Sequence, residues 1–258
     1  MSRMGLRRAL PLEMAKLRRM RVAPVVAAIV LPGIGLSTMR LFSSSTTASW
    51  TAPGVDPWPA LMVSAAMMSA ITHQILTAVL ASRQVEIEHA GAGWNLWSTV
   101  GLAPGALLRV KLAALAPIIV LSCLAQVGAV LVVARLRGIE APLDPMPWAV
   151  LTAGLICVDL AMCAGLLLLA ARFANQLLTV GAGLIGAFAS ACLFPAPQWV
   201  ARALPWGYYA VATPARMTSA GGVGAHGSGP WLVGFMVLAG AVFAVATRRM
   251  DRGEGRVG

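Results

Sequence analysis

Asp159 poses the sharpest chemical question in this 258-residue chain, because it is an acid set in the middle of an otherwise apolar run. Burying a carboxylate is costly unless it is paired, protonated or wet. Two uses fit: a polar contact between helices, or a group on a transport pathway that couples to an ion. His73, Gln126 and Arg172 are its candidate partners. His73 and the adjacent Gln74 also fall in an apolar run, so His73, Gln74, Gln126 and Asp159 form the candidate set for a polar route.

Enzyme chemistry finds little support elsewhere. Gly181-Ala182-Gly183-Leu184-Ile185-Gly186 matches the spacing of a dinucleotide loop. That loop needs a preceding strand and a helix N-terminus facing pyrophosphate. These glycines lie inside an apolar run instead, where small residues let helices approach closely. A Walker loop needs a lysine directly after glycine, yet the two lysines, Lys16 and Lys111, follow Ala15 and Val110. Any ATP energy must come from another polypeptide. His73, His89 and His226 are far apart and form no H-E-x-x-H pair, which argues against a zinc hydrolase; no G-x-S-x-G turn supports a serine hydrolase. Cys123, Cys157, Cys163 and Cys192 sit in apolar runs without ligand spacing or a partner histidine, and read as packing residues. The chain is expected to have no catalytic residue, bound cofactor or metal.

These residues are positioned by six apolar runs, approximately 22–39, 59–80, 112–134, 146–171, 177–194 and 231–246. About 20 helical residues, rising ~1.5 Å each, cross a hydrocarbon core ~30 Å thick. Four runs meet that length, and the first and last lie near its lower limit. A chain 59% hydrophobic and 11% charged, with mean hydropathy +0.79, is too apolar for an ordinary soluble domain. The runs are continuous rather than alternating, which excludes a closed barrel. The fold class is all-α: a polytopic membrane protein with six transmembrane helices.

The net charge of +11 follows this layout. Fifteen basic residues fall within 1–21, the seams after the second and fourth runs, and the C-terminus. Five fall in the alternate seams: Arg40, Arg135, Arg137, Arg202 and Arg216. Basic residues stay cytoplasmic, so both termini are expected inside. The excess then signals topology, with some affinity for anionic headgroups, and nucleic acid is not an expected partner. No small-x-small cleavage site follows the basic N-terminus, so the first span should be retained. The Ala, Gly and Arg content suggests a GC-rich bacterial genome, and hence a bacterial plasma membrane.

The chain divides into an interfacial helix at 1–21, a six-span domain at 22–246 and a basic tail at 247–258. Leu6, Leu10, Met14 and Leu17 recur at helical steps among arginines, and Pro11 is expected to kink or divide that helix. Residues 40–58 and 135–145 read as short outer loops, and 172–176 as a tight inner turn. The outer loop 195–230 begins with Trp199, Trp206, Tyr208 and Tyr209, which fit a membrane–water boundary and a short re-entrant or surface helix. A flexible glycine-rich linker follows at 218–229. The inner seam 81–111 carries Glu86, Glu88 and His89, a glycine break, then Gly93, Trp94, Asn95, Leu96 and Trp97, and closes on Pro104. This pattern predicts a short helix along the membrane surface, which either enters a cleft on a soluble partner or anchors in lipid alone.

Here the chain resembles the membrane subunits of type-2 ABC exporters, especially the lantibiotic- and bacitracin-immunity permeases. Members often open with Glu-x-x-Lys-Leu-basic-basic, matched by Glu13-Met14-Ala15-Lys16-Leu17-Arg18-Arg19. After the second span they carry an acid, then Gly-x/Thr-Trp-x-Leu, then a Pro-x-x-basic turn leading through a lysine into the third. The counterparts are Glu86 and Glu88, Gly93-Trp94-Asn95-Leu96, Pro104 and Lys111. Gly105-Ala106-Leu107-Leu108-Arg109 departs from the basic residue that members often place just after the turn. The resemblance implies pairing with a second copy or a homologous permease, and two ABC ATPase subunits that bind ATP and Mg. Residues 86–97 would be the coupling helix, with Glu86, Glu88, His89, Gly93, Trp94, Leu96 and Trp97 at the ATPase interface. Cargo would be an amphipathic peptide, an antibiotic or a lipid-like molecule. Two other readings remain beside it: an ion-coupled carrier using Asp159, and a membrane enzyme or scaffold.

Overall fold

Backbone polar groups find no water inside a bilayer, so each apolar run must wind into a helix. The computed structural model describes residues 6–50, 54–91, 93–217, 223–225 and 229–254. Arg3, His226, Arg256 and most of the glycine-rich linker lie outside the described residues. Helix α1 (Leu6–Arg19) precedes the first span, α2 (Val22–Thr38), which a 3₁₀ turn (Met39–Phe42) extends. A short α3 (Ser44–Trp50) leads to the second span, α4 (Trp58–Ala90), and α5 (Gly93–Thr99) stands apart as a seven-residue helix. The third to fifth spans are α6 (Pro104–Leu136), α7 (Pro145–Arg172) and α8 (Gln176–Leu193). Then come α9 (Gln198–Ala203), a 3₁₀ turn (Pro205–Gly207) and α10 (Tyr208–Ala212). An antiparallel ribbon of β1 (Ala215–Met217) and β2 (Val223–Ala225) precedes the last span, α11 (Gly229–Glu254). Among the described residues, six helices are thus long and apolar enough to cross a membrane.

Helices α4 and α6 each have 33 residues. At 1.5 Å per residue each is about 50 Å long, some 20 Å more than a bilayer core. The surplus, 81–90 and 104–111, meets α1 and the end of α11, the elements at the two chain termini. This corrects the expected surface helix at 86–97. No Gly or Pro interrupts 81–90, so α4 runs on through Glu86, Glu88 and His89 to Gly91. Only Gly93–Thr99 forms the separate helix.

Span α4 is central, packing against α2, α6, α7, α8 and α10. Its buried hydroxyls bond back along the helix: Thr72 Oγ1 donates to Met68 O at 2.9 Å and Thr77 Oγ1 to His73 O at 2.8 Å. Close approach needs glycine on its neighbours. A Cβ at Gly33 would meet the Thr72 side chain, one at Gly183 the Ala78 methyl, and one at Gly186 the Trp206 indole and Gln74. Gly183 and Gly186 therefore serve helix packing, while Gly181 has open space beside it.

Three local expectations change. Pro11 does not divide α1, because buried Ala9 on one side and Glu13 and Leu17 on the other hold it against the spans. The segment 40–58 contains α3 rather than an irregular loop. Within the glycine-rich stretch, Val223–Ala225 pairs with Ala215–Met217, so backbone pairing orders that part. The loop 135–145 is pinned by Arg135, whose Nη1 donates to Ile139 O at 2.8 Å and Ala141 O at 3.0 Å. Arg21 joins α1 to α2 at φ 51°, a left-handed conformation that costs a side-chain-bearing residue about 1–2 kcal/mol.

Candidate functional site

Two buried polar clusters stand out from the apolar packing. The first lies where the overhanging ends of α4 and α6 meet α1 and α5. Lys111 is fully buried near the start of α6, and its Nζ uses all three donors: Glu13 Oε2 at 2.8 Å, Glu88 Oε1 at 2.8 Å and Gln84 O at 3.0 Å. Lys16 Nζ lies 2.7 Å from Glu88 Oε1 and 2.8 Å from Glu13 Oε1. Gln84 Nε2 donates to Glu13 Oε2 at 3.1 Å. Two acids and two lysines balance, which is the condition for keeping charges out of water.

Helix α5 is tied into this cluster. Trp97 Nε1 donates to Glu88 Oε2 at 3.1 Å, and Lys16 Nζ sits 4.8 Å from the centre of a Trp97 ring. Gly93 is required by contact, since a Cβ there would run into the Glu88 carboxylate and backbone. Trp94 Nε1 donates to His89 Nδ1 at 3.4 Å, and His89 Nε2 lies 3.1 Å from Ala170 O on α7. The indole donor makes Nδ1 the acceptor, so Nε2 carries the proton and donates to the carbonyl. Burial acts to raise the Glu13 carboxyl, but Lys111 and Lys16 outweigh it and hold its pKa below the ordinary value. Burial acts to lower Lys16, but Glu13 and Glu88 outweigh it and hold that pKa above the ordinary value.

The second cluster lies within the spans. Asp159 of α7 is fully buried and accepts from Tyr209 Oη at 2.8 Å through Oδ1. Its Oδ2 lies 2.7 Å from His73 Nδ1 on α4. The Tyr209 hydroxyl is also 3.3 Å from Gln74 Oε1. Cys123 of α6 completes the neighbourhood: ligand atoms of His73, Cys123 and Asp159 lie within 4.8 Å of one another. Imidazole, thiol and carboxylate are a set that could hold a soft or borderline cation, but both carboxylate oxygens already have protein partners.

Of the residues singled out from sequence, His73, Gln74 and Asp159 come together and Gln126 does not. Gln126 Nε2 instead donates to Ser37 Oγ at 2.9 Å, joining α6 to α2. Arg172 is no partner for Asp159 either; its guanidinium lies 5.5 Å from the Phe173 ring. On the seam, Glu86 and Leu96 are exposed, whereas Glu88 and Trp97 are buried and Trp94 and His89 half-buried. Glu88 therefore faces its own chain. Sequence reasoning missed three members outright: Tyr209, placed at a membrane boundary but fully buried; Cys123, which does have a histidine neighbour; and Gln84.

A profile described as ABC-2 family transporter protein matches residues 9–190, well over half the chain. The chain belongs to the ABC-2 transporter family. Curated proteins and solved structures give no match. The matched stretch of this ABC-2 permease starts in α1 and ends in α8, so it holds the whole ion cluster and all of the second cluster except Tyr209. As a multi-pass membrane subunit of an ABC-2 transporter, it works with a separate ABC ATPase subunit and is not itself the ATPase.

Proposed function

We propose that this ABC-2 permease belongs to an ATP-driven exporter, and that its ATPase seats on the tip formed by the end of α4 and by α5, on the cytoplasmic side with both termini. The observation that carries the reading is the ion cluster. It braces α5 against α1, α4 and α6 at once, so a push on α5 reaches the second and third spans and the helix that leads into the first. Exposed Glu86 and Leu96 supply the partner-facing surface, an acid on α4 and an apolar anchor on α5, while Glu88, Trp94 and Trp97 hold the tip from behind. A second copy or a related permease completes the route. The cargo class is an amphipathic peptide, an antibiotic or a lipid-like molecule, in keeping with mainly apolar spans and with the resemblance to immunity permeases.

The test is affinity capture of the ATPase encoded beside this chain, with ATP turnover measured in co-expressing membranes. Wild type is expected to capture the ATPase and raise its turnover. Glu86→Arg/Leu96→Asp alters only exposed positions, and should abolish both while leaving thermal stability unchanged. A wild-type chain that inserts yet captures no ATPase would overturn the reading.

A further inference from the structure

An apolar groove of about 660 Å³ runs between α1, α2 and α6, within the range of small-ligand pockets, about 300–1,000 Å³. Val26, Val30 and Ile34 of α2 form one wall and Ile118 and Leu121 of α6 the other. Arg18 and Arg21 line the same groove at the end where α1 turns into α2. Both are exposed, and among the described residues neither guanidinium has a hydrogen-bonded or ion-paired partner. From Arg21 to Ile34 the wall rises about 20 Å at 1.5 Å per residue, a little more than one leaflet's share of a ~30 Å core. Two free guanidiniums at the mouth of an apolar slot of leaflet depth match a phosphate headgroup with an acyl chain below it.

We propose that this groove binds one anionic phospholipid, from the leaflet on the side of the chain termini. Its phosphate would sit on Arg18 and Arg21, where planar guanidiniums pair with phosphate oxygens in bidentate fashion. Its chain would lie along Val26, Val30 and Ile34. Arg21 stands at φ 51°, a conformation that glycine adopts freely, so its side chain can be removed by glycine without straining the backbone. The bound lipid would also touch Met14 and Leu17, on the helix that sends Glu13 and Lys16 into the ion cluster. The proposal does not depend on the exporter reading.

The full chain in detergent would be titrated with phosphatidylglycerol and, separately, with phosphatidylcholine, counting bound lipid by native mass spectrometry. Wild type should retain phosphatidylglycerol preferentially. Arg18→Gln/Arg21→Gly should weaken that binding about 30-fold, as two basic residues near a membrane surface imply, while glycine relieves the backbone at 21 and keeps thermal stability at or above wild type. Ala125→Trp fills the groove from an exposed position with both arginines intact, and should block the lipid. Arg19→Gln, an exposed neighbour outside the groove, should weaken binding far less than the double variant, by no more than the general attraction of one surface charge, about fivefold. Equal retention of both lipids, equal loss in Arg19→Gln, or unchanged binding in Ala125→Trp would each overturn the site. So would a lipid-independent dimer that Ala125→Trp dissociates, because a second copy would then occupy the groove.

Discussion

Lys111 Nζ lies 2.8 Å from Glu88 Oε1, fastening the start of the third span to the far end of the second. The same nitrogen holds Glu13 of α1. Removing the ammonium leaves two buried carboxylates facing one partly exposed lysine. Breaking such a buried arrangement on one side costs about 3–5 kcal/mol, so Lys111→Met should lower the thermal midpoint of the purified chain strongly. Glu88→Gln/Lys111→Met restores charge balance between Glu13 and Lys16, and should melt higher than Lys111→Met alone. A double variant less stable than the single one would mean the acids are not the source of the loss.

Gly93→Ala tests how closely α5 is seated. The added methyl collides with the Glu88 carboxylate, which is already committed to Lys16, Lys111 and Trp97 and has no room to yield. Overpacking of this kind costs about 1–3 kcal/mol. The expected readout is a lower melting midpoint together with weaker ATPase capture. Gly91→Ala meets only the Ile87 carbonyl oxygen at 3.2 Å and should behave nearly as wild type in both assays.

The docking of α1 should depend on pH at both ends of the scale. Glu13 has a lowered pKa when folded, so its stabilising contribution is present at neutral pH and is lost as pH falls through the folded value. Lys16 has a raised pKa, so its contribution is complete below the ordinary lysine value and is lost as pH rises through the folded one. With ordinary values of about 4.3 and 10.4, the stability difference between wild type and Glu13→Gln should be flat from about pH 6 to 9 and shrink below about pH 4. Melting curves across pH would check it. A difference already falling between pH 7 and 6 would contradict a carboxylate held by two ammonium groups.

Hydropathy alone located the six spans, because continuous apolar length is a local property that needs no partner. The ion cluster was legible only in pieces. Glu13 and Lys16 stood in one motif and Glu88 and Lys111 in another, but their bonds cross 72 to 98 residues, and nothing local encodes such pairing. Through the family resemblance Glu88 is expected at the ATPase interface, yet its carboxylate is buried against Lys16, Lys111 and Trp97 of its own chain. It faces inward because α4 continues two residues further and turns that position toward Lys111. Tyr209 departs from its expected place as well: tyrosines near tryptophans suggest a boundary, yet α10 packs on α7 and buries this one. For Asp159 the sequence offers His73, Gln126 and Arg172 without choosing among them, because the choice depends on how α4, α6 and α7 face one another; the fold selects His73.

Tyr209→Phe addresses what the buried acid is for. The substitution keeps the ring and removes the hydroxyl that donates to Asp159 Oδ1, leaving that oxygen without its protein donor. Stranding a buried acceptor costs about 1–3 kcal/mol, more when it is charged. Asp159→Asn should be milder. Its amide oxygen can still accept from Tyr209, and its NH₂ can donate to His73 Nδ1 if the imidazole carries its proton on Nε2, an atom with no hydrogen-bond partner at present. A structural acid therefore gives a defined order: Asp159→Asn melts close to wild type, within about 1 kcal/mol, Tyr209→Phe clearly lower, and ATP-driven transport survives in the Asn variant. An acid that must gain and lose a proton during transport gives the reverse in function: Asp159→Asn would fold normally and transport nothing. Melting and flux measured on the same two variants separate these roles.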